Sequence, residues 1–93
     1  MAKKRSNYKK IFLEFWGLEP WDWIPCWMEY DGVRCGKTSN DIDHIETGRG
    51  VGTDKVENLM PLCRDCHTNK GGRAFKDIQK SIIIRLIKIK NAA

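Results

Sequence analysis

The chain contains no hydrophobic run of membrane-spanning length. Runs such as Ile82-Ile83-Ile84 are cut short, here by Arg85, whereas a spanning helix needs about 20 apolar residues. The opening Met-Ala-Lys-Lys-Arg-Ser-Asn-Tyr-Lys-Lys is charged and leads into no apolar stretch, so it does not read as a signal peptide. These two absences argue for a cytoplasmic setting with no membrane partner. There is no internal repeat, no low-complexity tract and no composition shift that would mark a second domain. Histidine is scarce, with two residues, and cysteine is limited to four. In a reducing compartment, clustered cysteines hold metal more often than they form disulfides.

What is present fits one small domain. Ninety-three residues bury little core, and domains of this size often need a metal or disulfides to fold. The net charge is +5 and the pI about 9.2, a balance that favours a polyanionic partner, most simply nucleic acid.

Residues 1–10 read as a basic arm. Ser6 or Asn7 can cap a helix that runs to about Trp16, with Ile11, Phe12, Phe15 and Trp16 at helical spacing. Gly17 is its expected stop. Residues 18–40, punctuated by Pro20, Pro25, Gly32 and Gly36, read as loop and short turns around Cys26 and Cys35. The alternation in residues 41–46 predicts a short strand. Gly48, Gly50 and Gly52 predict a flexible loop, and Asn58 to Leu62 a second strand. Arg64 to Lys70 reads as a helix stopped by Gly71-Gly72. A last helix is expected over Ala74 to Lys90, with Phe75, Ile78, Ile82 and Leu86 on its apolar face, although the β-branched residues 82–84 favour strand. Trp16, Trp21, Trp23 and Trp27 are expected to fill the core, the alternative being a partner or dimer surface, since exposed aromatic patches mark interaction sites.

Cys63 and Cys66 have the two-residue gap that lets one turn of chain present both sulfurs to one ion. Cys26 and Cys35 supply a second pair across a wider gap, which implies an inserted turn carrying Trp27, Tyr30 and Gly32. Four thiolates satisfy a structural zinc, which prefers tetrahedral sulfur ligation. Such a site is a staple rather than a centre of chemistry.

A second site is built from oxygen and nitrogen. One carboxylate and one imidazole, from Asp43 and His67, are enough to hold a divalent ion that keeps several waters and accepts phosphate oxygens. His67 directly follows Cys66, so metal binding by Cys66 fixes where His67 points. A regular strand sends Asp43 and His44 to opposite faces, and a twist or bulge would let both line one cleft. His44 is then available to act as a base on a water, a role suited to imidazole near neutral pH.

The run Asp43-His44-Ile45, then Asn58-Leu59, then Leu62-Cys63-x-x-Cys66-His67-x-x-Lys70 resembles the HNH endonuclease family, and more narrowly the small HNH proteins encoded by phages. The stretch from Ile24 to Lys70 carries the likeness. The resemblance implies an α+β, treble-clef-like ββα-metal fold stabilised by zinc, with flanking N- and C-terminal helices: a basic arm over 1–10, a ββα-metal core over 24–73 and a terminal helix over 74–90. It implies His44 as general base, Asn58 as the residue that holds the loop between the strands, and Asp43 and His67 as ligands of the catalytic metal (Mg²⁺, Mn²⁺, Ni²⁺ or Zn²⁺). Cys26, Cys35, Cys63 and Cys66 would hold the structural zinc, and Lys70 would face a phosphate. It further implies DNA as substrate, with a phage relative working near the packaging machinery inside a bacterial host. Many relatives carry a third metal-site side chain one helical turn after the last histidine. Here that position is Gly71, which would leave two protein ligands.

Arg49, in the glycine-rich segment, and Arg64 and Arg73 join Lys70 as candidates for phosphate contact. Lys3, Lys4, Arg5, Lys9 and Lys10 form a denser cluster suited to salt-dependent, sequence-independent binding. No recognition helix is evident, so weak sequence preference is expected. The alternative is a non-catalytic zinc-binding module that only binds nucleic acid, which leaves Asp43, His44 and Asn58 unexplained. Cys63-x-x-Cys66-His67 also fits the c-type haem attachment pattern, but that chemistry needs export and would leave Cys26 and Cys35 idle. A dithiol redox protein is disfavoured because no thioredoxin-like βαβ pattern surrounds the pair.

Overall fold

A computed structural model of the chain describes residues 8–46 and 55–92. The first helix, α1, covers Tyr8–Trp16 and buries Phe12. It stops as expected at Gly17, whose φ of +70° suits a residue without Cβ. There Leu18 N–H donates to Leu13 O at 2.8 Å, the six-residue closure that caps a helix end. The capping residues Ser6 and Asn7 and most of the basic arm lie outside the described residues.

The segment read as loop around the first cysteine pair contains a hairpin, β1 (Glu29–Tyr30) and β2 (Val33–Arg34). Its turn is Asp31-Gly32, with φ of +53° and +81°. Two consecutive positive φ values match the twist of the flanking strands, and Asp-Gly is among the pairs that adopt them most readily. The hairpin absorbs the wide spacing between Cys26 and Cys35. Below it, Cys35 N–H donates to Met28 O and Cys26 N–H to Lys37 O, so the two cysteines return to one end of the hairpin.

The second antiparallel pair, β3 (Asp41–His44) and β4 (Leu59–Leu62), runs in register from Asp41 opposite Leu62 to His44 opposite Leu59. No bulge interrupts these four residues, and His44 stands at the end of the strand, where regular pairing gives way. Ile45 N–H extends the pairing to Asn58 O, and Val56–Asn58 form a short 3-10 turn rather than strand. All four residues of β4 are buried. The glycine-rich segment, with Arg49, lies outside the described residues.

Helix α2 spans Arg64–Thr68, shorter than expected. It closes at Asn69, and Lys70 has left the helix, which frees its side chain to turn back toward β3. Helix α3 runs over Arg73–Ala92. Ile82 and Ile83 are buried in the core, and that tertiary packing outweighs their preference for strand. The inward face is Gln79, Ile82 and Ile83, flanked by Phe75, Leu86 and Ile87. Ile78, expected on that face, is exposed.

The core joins Met28, Ile45, Met60, Leu62, Ile82 and Ile83 to the sulfurs of Cys26, Cys63 and Cys66. The tryptophans divide. Trp16 and Trp27 pack edge to face, with ring centroids 5.1 Å apart, and both meet Phe12. Trp21 and Trp23 are 78% and 65% exposed, which corrects the expectation that all four fill the core. Trp23 is held at the surface by Nε1, which donates to Thr38 Oγ1. Among the described residues, no helix is long and apolar enough to cross a membrane.

Candidate metal centres

Four sulfurs meet where the hairpin base, the end of β4 and the start of α2 converge. The Sγ atoms of Cys26, Cys35, Cys63 and Cys66 all lie within 4.8 Å of one another. Cys35 is 3.9 Å from Cys63 and 3.8 Å from Cys66. A tetrahedral zinc with bonds of about 2.3 Å separates its sulfurs by about 3.8 Å, so the cluster has the spacing of a metal site. The cysteines are not disulfide-bonded. The local backbone supports the same chemistry: Cys63 caps α2 and its Sγ accepts from Cys66 N–H at 3.4 Å.

Burial pushes the Cys26 and Cys66 thiols up, so closely packed sulfurs do not ionise together without a cation to balance them. The Tyr30 hydroxyl donates to Cys66 Sγ at 3.0 Å. Its own phenol is pushed up by burial and by the neighbouring Cys66, which keeps the proton on the donor. The four cysteines are thus positioned to bind a metal ion.

The second site lies across the β3–α2 junction. Asp43 is 5% exposed, and its two carboxylate oxygens have different surroundings. Oδ1 lies 3.4 Å from His67 Nε2. Oδ2 accepts from Lys70 Nζ at 2.9 Å and from Gln79 Nε2 at 3.0 Å. The other ring nitrogen of His67, Nδ1, lies 3.4 Å from Asp41 Oδ2. An oxygen and a nitrogen that share one divalent ion at about 2.1 Å each stand roughly 3.0–3.5 Å apart. The Asp43–His67 pair therefore fits a shared ion, with Asp41 behind the histidine in the position that fixes ring orientation in many metal sites.

Lys70, expected to face a phosphate, is turned inward. Besides Asp43 it donates to His44 O at 2.8 Å and Ile45 O at 3.3 Å. A buried carboxylate requires a balancing charge, and Lys70 supplies it while tying α2 to the end of β3. Arg73 is paired with Glu46 at 2.6 Å. Arg64 is exposed.

His44 is the last residue of β3, and its ring meets that of Tyr8 edge-on at 4.5 Å between centroids. Asn58 grips the chain just after it: Nδ2 donates to Glu46 O at 3.0 Å and Oδ1 accepts from Glu46 N–H at 2.9 Å. Glu46 in turn receives Lys80 and Arg73, each at 2.6 Å, with Lys76 at 3.6 Å. Those cations hold its carboxyl at about 2, well below the usual range, Lys80 and Arg73 by hydrogen bonding.

Asp41, Glu46, Tyr30 and Gln79 were not among the candidates read from the sequence. Asp41 had a signal, since it precedes Asp43 by two on a strand and so shares its face. Gln79 had one too, as a polar residue on the inward stripe of an amphipathic helix, four after Phe75 and three before Ile82.

No curated protein and no solved structure gives a match to the chain. A family model described as HNH endonuclease matches residues 26–73, a segment that holds all four cysteines, Asp43, His44, Asn58 and His67. HNH domains are generally nucleases that act on nucleic acid. With the match covering just over half of the 93 residues, the chain belongs to the HNH endonuclease family.

Proposed function

We propose that this protein is a metal-dependent DNA endonuclease that hydrolyses phosphodiester bonds in duplex DNA with weak sequence preference, leaving 5′-phosphate and 3′-hydroxyl ends. The observation that carries the reading is the Asp43 Oδ1–His67 Nε2 pair at 3.4 Å, one residue from a four-sulfur cluster, in a chain of this family. Cys26, Cys35, Cys63 and Cys66 would hold a structural zinc. Asp43 and His67 would hold a second divalent ion, which when bound would supply positive charge for the phosphate and leaving oxygen.

The protein's own residues perform the remaining tasks. His44 takes the proton from the attacking water. Asn58 keeps the chain after His44 in place through the backbone N–H and carbonyl of Glu46, and so orients that base. Lys70 holds Asp43 and the carbonyl of His44 together, which fixes the metal ligand relative to the base. Arg64 and Arg73, with Arg49 and the basic arm, would contact backbone phosphates. Arg73 must first exchange its partner Glu46 for phosphate. The domain would comprise the arm over 1–10, the nuclease core over 24–73 and the helix over 74–90, working in a cytoplasmic setting.

The test is cleavage of supercoiled plasmid by wild type and His44→Ala, with Mg²⁺, Mn²⁺, Ni²⁺ or EDTA. Metal-dependent cleavage should fall by about 10²–10⁴-fold in the variant, the usual contribution of a general base, while zinc content stays unchanged. Full activity in His44→Ala would remove His44 from the base role. Binding of DNA without cleavage under any metal would favour a non-catalytic zinc module.

A further inference from the structure

The family segment ends at residue 73, yet one of the side chains that holds Asp43 comes from beyond it. Gln79 lies in the second turn of α3, is 0% exposed and sits beside the buried Ile82 and Ile83. Its Nε2 donates to Asp43 Oδ2 at 3.0 Å and lies 3.7 Å from Met60 Sδ. Its Oε1 is buried and has no hydrogen-bond partner. The amide cannot be reversed to relieve that oxygen, because Oε1 would then face a carboxylate oxygen. A methionine or leucine would fill the same space without burying an unpaired carbonyl. An amide kept there at a cost to stability is tied to what its donor does.

That donor acts on one oxygen of Asp43. Oδ2 already accepts from Lys70, and Gln79 supplies its second, directional hydrogen bond. Oδ1, on the other side of the carboxylate, is the oxygen aimed at His67 Nε2. Lys70 supplies charge on a flexible stem, whereas the Gln79 amide is planar and packed, so it sets the rotation of the carboxylate.

We propose that Gln79 is a positioning residue for the divalent metal: it locks Asp43 so that Oδ1 alone is presented beside His67, and makes α3 part of a metal site that the family segment does not contain by itself. This rests on the proposed role of Asp43 and His67 as ligands.

The experiment measures Mn²⁺ binding to the full chain by electron paramagnetic resonance, with zinc content and thermal unfolding followed in parallel. Wild type, Gln79→Met, Gln79→Leu, Asp43→Ala and the Asp43→Ala/Gln79→Met double variant are compared. Gln79→Met should keep its zinc and its fold while Mn²⁺ affinity falls about 10–100-fold, the range for residues that orient a metal ligand. In the Asp43→Ala background, adding Gln79→Met should change Mn²⁺ binding no further. Should Gln79→Met not fold, Gln79→Leu carries the same expectation. Wild-type Mn²⁺ affinity in a folded variant would overturn the proposal, and so would loss of fold in both variants, which would assign the amide to packing alone. Absence of Mn²⁺ binding in wild type would instead overturn the ligand assignment on which the proposal rests.

Discussion

Asp41 Oδ2 stands 3.4 Å from His67 Nδ1, on the opposite side of the ring from Asp43. Strand alternation brings the two carboxylates to one face, two residues apart, with the imidazole between them. If Nε2 is the ligand atom, Nδ1 carries the hydrogen and Asp41 accepts it, which fixes the ring and raises its donor strength. Asp41→Asn should therefore weaken binding of the catalytic ion by about tenfold or more, with zinc content unchanged. Mn²⁺ titration of the variant checks this. Unaltered affinity would reduce Asp41 to a surface neighbour of the ring.

Asn58→Ala removes both hydrogen bonds to the Glu46 backbone. At about 0.5–1.5 kcal/mol net for each, stability should drop by roughly 1–3 kcal/mol, measurable by urea unfolding. Plasmid cleavage should fall with it under conditions where the variant is still folded, because the chain following His44 is no longer gripped.

Removing the structural ion should unfold the protein. Three buried cysteines, with the part-buried Cys35 packed against them, form part of the core itself. A strong chelator should abolish the cooperative melt, and Cys66→Ser should do the same without chelator. Metal analysis of the purified chain should find one zinc bound by thiolates. A chelated protein that melts as before would show that the cluster is dispensable.

Glu46 gives a pH-dependent contribution of defined sign. Its carboxyl is held at about 2 by Lys80 and Arg73, below the usual value of 4.5. A depressed carboxyl stabilises the fold above its unfolded pKa and loses that contribution as pH falls through the folded one. The melting temperature of wild type minus that of Glu46→Gln should thus be constant above about pH 5 and shrink as pH falls toward 2. Taking the difference cancels acid-driven metal loss common to both. The effect should be small and should weaken in salt, since these groups are solvent-exposed.

Local chemistry made parts of this structure readable from sequence. The two-residue gap between Cys63 and Cys66 and the glycine after Trp16 each impose one geometry on a few neighbouring residues, and both elements form where they are expected. Alternation over residues 41–46 identified β3, though it ends at His44. What could not be read depends on contacts distant in sequence. Lys70 looked like a surface cation because nothing nearby reveals that the chain leaves α2 at Asn69 and turns its ammonium onto Asp43, 27 residues away. The hairpin between Cys26 and Cys35 is hidden for a different reason: its strands are two residues each, too short for a period to register, and Gly32 by itself marks only a turn. Residue type favours the core for Trp21 and Trp23 over the exposed alternative, whereas a chain this small runs out of interior before it runs out of tryptophan.

The division of the four sulfurs between residues 26–35 and 63–66 also sets an order in time. During synthesis the first pair emerges well before the second, and two thiolates make a poor cage for an ion. Tetrahedral capture must wait until Cys66 has left the ribosome, and it then closes a loop that already contains Asp43, His44 and Asn58. The stretch proposed to cut DNA is therefore shaped only as the staple locks, so a nascent or metal-starved chain should be inert toward the nucleic acid around it.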